Sequence, residues 1–331
     1  MGGVRWDRAD SVGQLWGILL IASTQPTLLS SLKATIARHP AAAFLVFLYV
    51  AEWIVFLPAL LGTSGFGLLP YDLPPQPSIL LLTLVGLAGG AFLVTRIADG
   101  KEGVRELRNR YFTWRTGPQW YLLALFGAPL IVLVGAAMVQ GTGILGTFGA
   151  NLPQFLPNYV LQVVLIAVLI SLWEETGWMS FLTARWQKRF GPVFASLMVA
   201  PLFGLGHFPL LFLAGGLSDS GRLTASEFPE YIFYLLVLFA VPVRLILTWV
   251  FNSTGGSLPL VALLHASFDV AASGAILTGF FPGLDGRLMY FGLAIVAIGV
   301  LVVTRGRLGY RGPLGPTIPS ATPVPSPVPL S

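Results

Sequence analysis

Residues 160–184 read VLQVVLIAVLISLWEETGWMSFLTA, and this stretch decides the fold of the chain. A helix must supply about 20 mostly apolar residues to cross the hydrocarbon core of a bilayer, and this stretch exceeds that length. It also carries two adjacent carboxylates, Glu174 and Glu175, which are costly to place in lipid. The stretch therefore predicts a membrane-spanning helix that bears functional groups.

The rest of the chain has the same apolar character. Hydrophobic residues make up 55% of the 331 residues and charged residues 10%, whereas soluble domains average about 25% charged residues. Eight apolar stretches are long enough, or nearly so, to cross a bilayer. They are residues 41–62, 78–96, 120–141, 160–184, 192–214, 231–251, 258–278 and 288–304. The sequence therefore predicts an all-α fold, a polytopic membrane helix bundle with about eight transmembrane helices.

Positive charge in the loops predicts the orientation, because cytoplasmic loops carry an excess of Lys and Arg. Lys33 and Arg38 precede the first span, and the loop 63–77 that follows it has no basic residue. Several basic residues follow the second span, and the loop 142–153 again has none. From this alternation we predict a multi-pass protein of the cell membrane with both termini cytoplasmic.

The predicted organisation of the chain follows these spans. The chain is predicted to begin with a cytoplasmic or interfacial segment (1–40), followed by N-terminal transmembrane helices (41–150). A core of transmembrane helices that carry ionisable residues follows (151–280). The chain then has a last transmembrane helix (281–311) and a disordered, proline-rich tail (312–331). Within the first segment, residues 15–31 are moderately apolar but interrupted by Pro26, and we predict an interfacial helix or half-span there.

Composition also excludes several classes of function. The net charge of +5 does not indicate nucleic-acid binding, because the basic residues lie in short loops and form no basic, aromatic-studded face. The chain has no cysteine, which excludes disulfides, thiolate metal ligands and a cysteine nucleophile. The predicted partners are membrane lipid and a substrate, with no nucleic acid.

Ionisable residues inside the spans are the best guide to function, since each costs about 2.5–3.5 kcal/mol to insert. They are Glu52, Glu174, Glu175, His207, Arg244, His265 and Asp269. At 1.5 Å per residue, Glu174 lies about 16 Å inside the span end at Arg185, and the estimated depths of His207 and His265 overlap with this value. We therefore predict one buried cluster of these three groups. His265 and Asp269, four residues apart, share a helix face.

Each of these residues also has a purely structural interpretation. A lone histidine in a membrane helix often serves only as a helix–helix hydrogen bond, and a pair such as Glu52 with Arg244 is more often structural than catalytic. The adjacent carboxylates are harder to explain in this way. They cannot both ionise cheaply, so one must hold a proton or meet a cation, and this setting is typical of acid–base chemistry.

Three segments resemble the motifs of the CAAX-processing and bacteriocin-processing (CPBP, or Abi) intramembrane proteases. The matching residues are Glu174 and Glu175 for the paired glutamates, Phe203 and His207 for Phe-x-x-x-His, and His265 and Asp269 for His-x-x-x-Asn/Asp. Each motif alone is weak, but their order and their distribution over separate spans make the combination specific. The resemblance covers residues 155–275 and marks 151–280 as the CPBP-like protease core.

The resemblance implies an intramembrane endopeptidase that acts on a peptide or membrane-protein substrate. In that reading Glu174 is the general base that activates a water molecule, and His207 holds this water or a metal that carries it. His265 and Asp269 would stabilise the oxyanion, and Glu175 would support the site. The family is described both as glutamate-type and as metalloprotease, so a zinc ion on His207, His265 and Glu174 stays open.

The chain departs from the family pattern at Met179, where the first motif has an arginine. Arg244 is the one basic residue well inside a predicted span, and it can pair with the Glu174–Glu175 pair or with Glu52. We expect Glu52, since that carboxylate is otherwise unpaired. The loss of the motif arginine raises an alternative, an inactive family member that acts as a membrane scaffold or immunity factor. A proton-coupled transporter is less favoured, because the chain shows no internal repeat.

Overall fold

The computed structural model describes residues 27–213, 226–272, 281, 284–285 and 287–312. Within these ranges every regular element is a helix. The helices are α1 (Leu28–Arg38), α2 (Pro40–Leu60), α3 (Gln76–Ala98), α4 (Gly100–Asn109), α5 (Pro118–Gln140), α6 (Phe155–Phe190, with helical turns before it from Ile144), α7 (Pro192–Leu205), α8 (Phe228–Ser253), α9 (Leu258–Ala272) and α10 (Arg287–Val303).

The helices confirm a polytopic membrane bundle. Six helical segments of the described chain are long and apolar enough to cross a membrane: α2, α3, α5, α6, α8, and α7 with the turn that follows it. The shorter apolar helices Leu258–Ala271 and Leu288–Val303 coincide with the seventh and eighth predicted spans. Residues 15–26, 214–225, 273–278 and 313–331, on which parts of the predicted half-span, loops, seventh span and tail fall, lie outside the described residues.

Local sequence signals explain where these helices begin and end. Pro40, Pro118 and Pro192 occupy the first turns of α2, α5 and α7, where the missing N–H of proline costs no hydrogen bond. Gly141 and Gly191 end α5 and α6 with φ of 85° and 81°, a conformation that side chains with a Cβ rarely adopt.

Small residues allow α5 to pack closely on α9. Ala124, Ala128 and Ala136 are fully buried on one face of α5, as expected where membrane helices associate through close backbone approach. The hydroxyl of Tyr159 on α6 lies 2.7 Å from the Leu125 carbonyl oxygen and 2.6 Å from Oγ of Ser267. This buried contact joins α5, α6 and α9 and places the polar face of α9 against α6.

Helix α6 changes its winding at the two glutamates. The short α-helical turn Leu172–Glu175 lies between the π-helical segments Ala167–Ser171 and Thr176–Thr183. Such widened turns in α-helices occur frequently at functional sites.

Polar contacts join the helices at one end of the bundle. Gln187 and Asn252 form a reciprocal pair of side-chain amide hydrogen bonds of 3.0 Å, and Asn252 also donates to the carbonyl oxygen of Leu308. Arg185 forms an ion pair with Asp99. The ends of α3, α6, α8 and α10 therefore lie together, as the alternation of basic loops predicts.

Candidate active site

Arg244 and Glu175 form the most deeply buried ion pair of the described chain. Nη2 of Arg244 lies 2.6 Å from both carboxylate oxygens of Glu175, and both side chains are 0% exposed. The guanidinium also lies over the ring of Phe203, 4.9 Å from its centroid, a favourable cation–π arrangement. The pair joins α8 to α6 and neutralises one of the two adjacent glutamates.

His265 connects this ion pair to the other carboxylates. Its Nδ1 lies 2.7 Å from Oε1 of Glu175, and its Nε2 lies 3.7 Å from Oε2 of Glu174 and 3.7 Å from Oδ2 of Asp269. The predicted shared helix face of His265 and Asp269 is thus observed. The side chain of Glu175 is fully buried, whereas those of Glu174 and Asp269 are 13% and 37% exposed. The two exposed carboxylates are the ones that a reactant can reach.

His207 lies just beyond the C-terminus of α7, and not inside the helix as the predicted fifth span implies. Helix α7 ends at Leu205, and Nδ1 of His207 lies 2.9 Å from the carbonyl oxygen of Phe203. This carbonyl is one of the last in the helix and has no partner within it, so the imidazole caps the helix end. Because a carbonyl oxygen only accepts, Nδ1 must carry the proton, and Nε2 is left with a lone pair.

The ring of Phe203 lies between the two histidines. Its centroid is 4.8 Å from the His207 ring and 5.6 Å from the His265 ring. Gly204, next to it, is where Leu236 of α8 approaches α7, and a Cβ there would lie 2.0 Å from Leu236 Cδ2. A larger residue at this position would have to displace Leu236, so Gly204 allows α7 and α8 to approach closely. Phe203 therefore contacts both imidazoles and the Arg244 guanidinium.

Tyr111 makes two contacts at the site that the sequence motifs do not predict. The hydroxyl of Tyr111, from the loop after α4, lies 2.5 Å from Oγ1 of Thr176, and its ring contacts that of Trp173. Both neighbours flank the two glutamates in the chain. Sequence reasoning missed Tyr111 because loop residues have no periodicity that assigns them to a helix face.

The expected pairing of Arg244 with Glu52 is wrong. Arg244 contacts Glu175, and Glu52 is 1% exposed on α2, with its Oε2 lacking a hydrogen-bond partner among the described residues. The physical reason is packing, because α2 lies against α3 and the turn after α7 and away from the polar part of α8. Met179 is fully buried in an apolar cluster, so the cation comes from another helix.

The side chains as placed do not fit the tentative zinc site of His207, His265 and Glu174. Within the ranges that the structure describes, no three His, Asp or Glu side chains are grouped as metal ligands. The side chains in their described positions therefore do not form an assembled ligand set for zinc.

Comparison with known proteins confirms the resemblance. Residues 156–271 match the family described as Type II CAAX prenyl endopeptidase Rce1-like, and this range contains all three motifs. The chain is also similar to CAAX prenyl protease 2 of Methanococcus maripaludis, with 25% identity over 200 residues, which cover 56% of this chain and 69% of that protein. Both similarities are to CAAX prenyl endopeptidases, and the family match covers residues 156–271 of the 331 residues.

Proposed function

We propose that the chain is an intramembrane endopeptidase that hydrolyses a peptide bond with Glu174 as its general base. This proposal rests on the different surroundings of the two adjacent glutamates. Glu175 is held by Arg244 and His265, whereas Glu174 is partly exposed and has no ion pair shorter than 3.7 Å. A base must be free to receive a proton, and Glu174 is the carboxylate that meets this condition.

In the proposed reaction, Glu174 accepts a proton from water as the oxygen attacks the peptide carbonyl carbon. The resulting tetrahedral oxyanion collapses with cleavage of the C–N bond, and Glu174 returns the proton to the leaving nitrogen. The products are a carboxylic acid and an amine, so all atoms and charges balance. The lone pair on Nε2 of His207 can accept a hydrogen bond from the attacking water and orient it.

His265 is the proposed donor to the oxyanion. Oε1 of Glu175 lies 2.7 Å from Nδ1, and Nε2 faces the carboxylates Glu174 and Asp269, an arrangement that favours a proton on Nε2 because carboxylates only accept. The 3.7 Å separations exceed hydrogen-bond length, so this proton can be donated to a substrate oxygen. An ionised carboxylate cannot donate a hydrogen bond to the oxyanion. The proposed role of Asp269 is therefore to stabilise the positive charge of His265 and to orient its ring.

The test is cleavage of a defined peptide by the purified full chain in liposomes. Since the similar M. maripaludis protein is named a CAAX prenyl protease, we propose a farnesylated C-terminal peptide as substrate, with the unmodified peptide beside it. Glu174→Gln keeps the size of the side chain but removes the base, and we expect a loss of about 10²- to 10⁴-fold in kcat. Glu230→Gln, an exposed glutamate at the start of α8, is the matched control and should retain full activity.

Two results would contradict the proposal. Equal cleavage by the wild-type and Glu174→Gln proteins would remove Glu174 from the reaction. Absence of cleavage of any membrane peptide by a folded wild-type protein would instead support the scaffold alternative. Loss of activity with a chelator and its recovery with Zn²⁺ would restore the metal assignment.

A further inference from the structure

A cavity of about 550 Å³ lies between α4 and the C-terminal part of α6. None of Glu174, Glu175, His207, His265 and Asp269 lines it, so it is separate from the candidate active site. Its walls come from the end of α3, from α4 and from α6 after residue 179. This is the end of the bundle where basic residues gather, which the loop charges predict to be cytoplasmic.

The cavity lining has an excess of positive charge. The basic residues are Arg105, Arg110, Arg185 and Lys188, and the acidic residues are Asp99, Glu102 and Glu106. Three ion pairs, Glu102–Arg105, Glu106–Arg110 and Asp99–Arg185, join each acid to one arginine. Within the described ranges Lys188 has no acidic partner, so one cation of the lining remains uncompensated.

Two buried hydrogen-bond donors of the lining are also unsatisfied. Ser180 is only 4% exposed, and its Oγ has no hydrogen-bond partner among the described residues; the same holds for Nε of Arg185. A buried donor without a partner destabilises the protein. Both groups lie on α6, as does Lys188, and all three can donate. Their natural complement is an anion with several acceptor oxygens.

We propose that this cavity binds the phosphate group of an anionic phospholipid. Phosphate supplies the acceptor oxygens for Ser180, Arg185 and Lys188, and its charge balances the excess cation. The cavity lies at the ends of the membrane-spanning helices α3 and α6, which is the level at which lipid headgroups are found. Basic pockets at the cytoplasmic side of membrane helices are known to bind anionic headgroups.

The experiment measures thermal unfolding of the purified full chain in neutral detergent at constant ionic strength. The protein is titrated with short-chain phosphatidylglycerol, with phosphatidylcholine of the same chain length, and with inorganic phosphate alone. We expect saturable stabilisation by phosphatidylglycerol only. Lys188→Ala should weaken the apparent affinity about fivefold, the effect of one basic residue near an anionic lipid. Lys101→Ala, an exposed lysine of α4 outside the cavity, should change it less than twofold.

Ser180→Ala is a second test that leaves all charges in place, and it should weaken phosphatidylglycerol binding about threefold. Equal stabilisation by phosphatidylcholine would overturn the proposal. So would an equal effect of Lys101→Ala and Lys188→Ala, which would indicate only general attraction to the basic surface. Saturable stabilisation by inorganic phosphate as strong as that by the lipid would replace the lipid with a free anion. Because the readout is stability, these results do not depend on the proposed proteolysis.

Discussion

At the level of individual residues, the position of Arg244 sets the charge of the candidate site. Adjacent carboxylates in a membrane interior need a cation, a shared proton or a metal. The family pattern places an arginine on the same helix, but here that position is Met179, and the cation comes from α8. Arg244 therefore supplies the positive charge that the motif arginine would have supplied. This weakens the argument that the protein is inactive.

Replacing Arg244 tests this compensation. Arg244→Met removes the cation that contacts both carboxylate oxygens of Glu175 and leaves this buried charge with His265 as its remaining neighbour. Removing one partner of a buried ion pair costs about 3–5 kcal/mol. We expect a lower free energy of unfolding in mixed micelles and loss of cleavage. The double variant Arg244→Met with Glu175→Gln removes both charges, so it should recover most of the stability but not the activity. A stable single variant with unchanged activity would show that the ion pair is dispensable.

Spacing in the sequence predicted the common helix face of His265 and Asp269, but it did not predict which carboxylate Arg244 contacts. The four-residue separation of His265 and Asp269 fixes their common helix face, because both lie on one continuous helix. No such rule relates Arg244 to Glu175, which are far apart in the chain and meet only through the packing of α8 on α6. The choice between Glu52 and Glu175 therefore required tertiary structure, and the sequence argument chose the wrong one.

Among the helices, Tyr159 provides a measurable contact at the junction of α5, α6 and α9. Its hydroxyl contacts Leu125 and Ser267, and such interhelical hydrogen bonds in membranes contribute about 0.6 kcal/mol on average and up to about 1.7. We expect Tyr159→Phe to lower the free energy of unfolding by an amount in this range. Tyr71→Phe, at an exposed loop tyrosine, is the matched control. If Tyr159→Phe is as stable as the wild-type protein, the hydroxyl does not stabilise this junction.

The loop between α2 and α3 contains a carboxylate with a pH-dependent role. The backbone amide of Ser64, followed by the hydroxyls of Thr63 and Ser64, donates to Asp72 and lowers the pKa of its carboxyl. Because the folded pKa lies below the unfolded value, the carboxylate stabilises the loop above about pH 4. This contribution is lost as the pH falls through the folded pKa.

We therefore expect Asp72→Asn to speed amide hydrogen exchange of Phe66 and Gly67 at neutral pH. The difference from the wild-type protein should shrink as the pH falls below about 4 and disappear once the pH is below the folded pKa of Asp72, where the wild-type carboxyl is also protonated. Exchange that differs equally at both pH values would contradict a role for the ionised group.

The presence of the helices could be predicted from the composition of the sequence, whereas the residues at which they end could not. The apolar runs predicted spans because lipid tolerates few other compositions. The run 192–214 includes His207, but α7 stops at Leu205, where Gly206 and the capping imidazole end the helix. Hydropathy does not record this event, since the residues after the helix end remain apolar.

At the scale of the whole molecule, the contacts at one end of the bundle bring several loops to one side, and the loop charges predict that this side is the cytoplasm. A second cavity of about 450 Å³ is lined by Arg110, Asn252 and Tyr310, among other residues. The segments that follow α4, α8 and α10 therefore lie on one side of the bundle. We expect reporters fused at Lys101 and at the C-terminus to indicate the cytoplasm. A reporter inserted at Gly67 should indicate the opposite side. The same side for Gly67 and the C-terminus would show that the number of spans is wrong.

The widened turn Thr176–Thr183 gives α6 an unusual tolerance of a change in length. In an ordinary α-helix, the loss of one residue turns everything beyond it by about 100°. A π-helical turn closes its hydrogen bond five residues along the chain instead of four, so it already holds one extra residue. Deleting one residue here would let the segment rewind as an ordinary α-helix, with Arg185 and Lys188 facing nearly the same way relative to Glu174. A descendant of this sequence could thus lose a single codon at this point and still present the same face of α6.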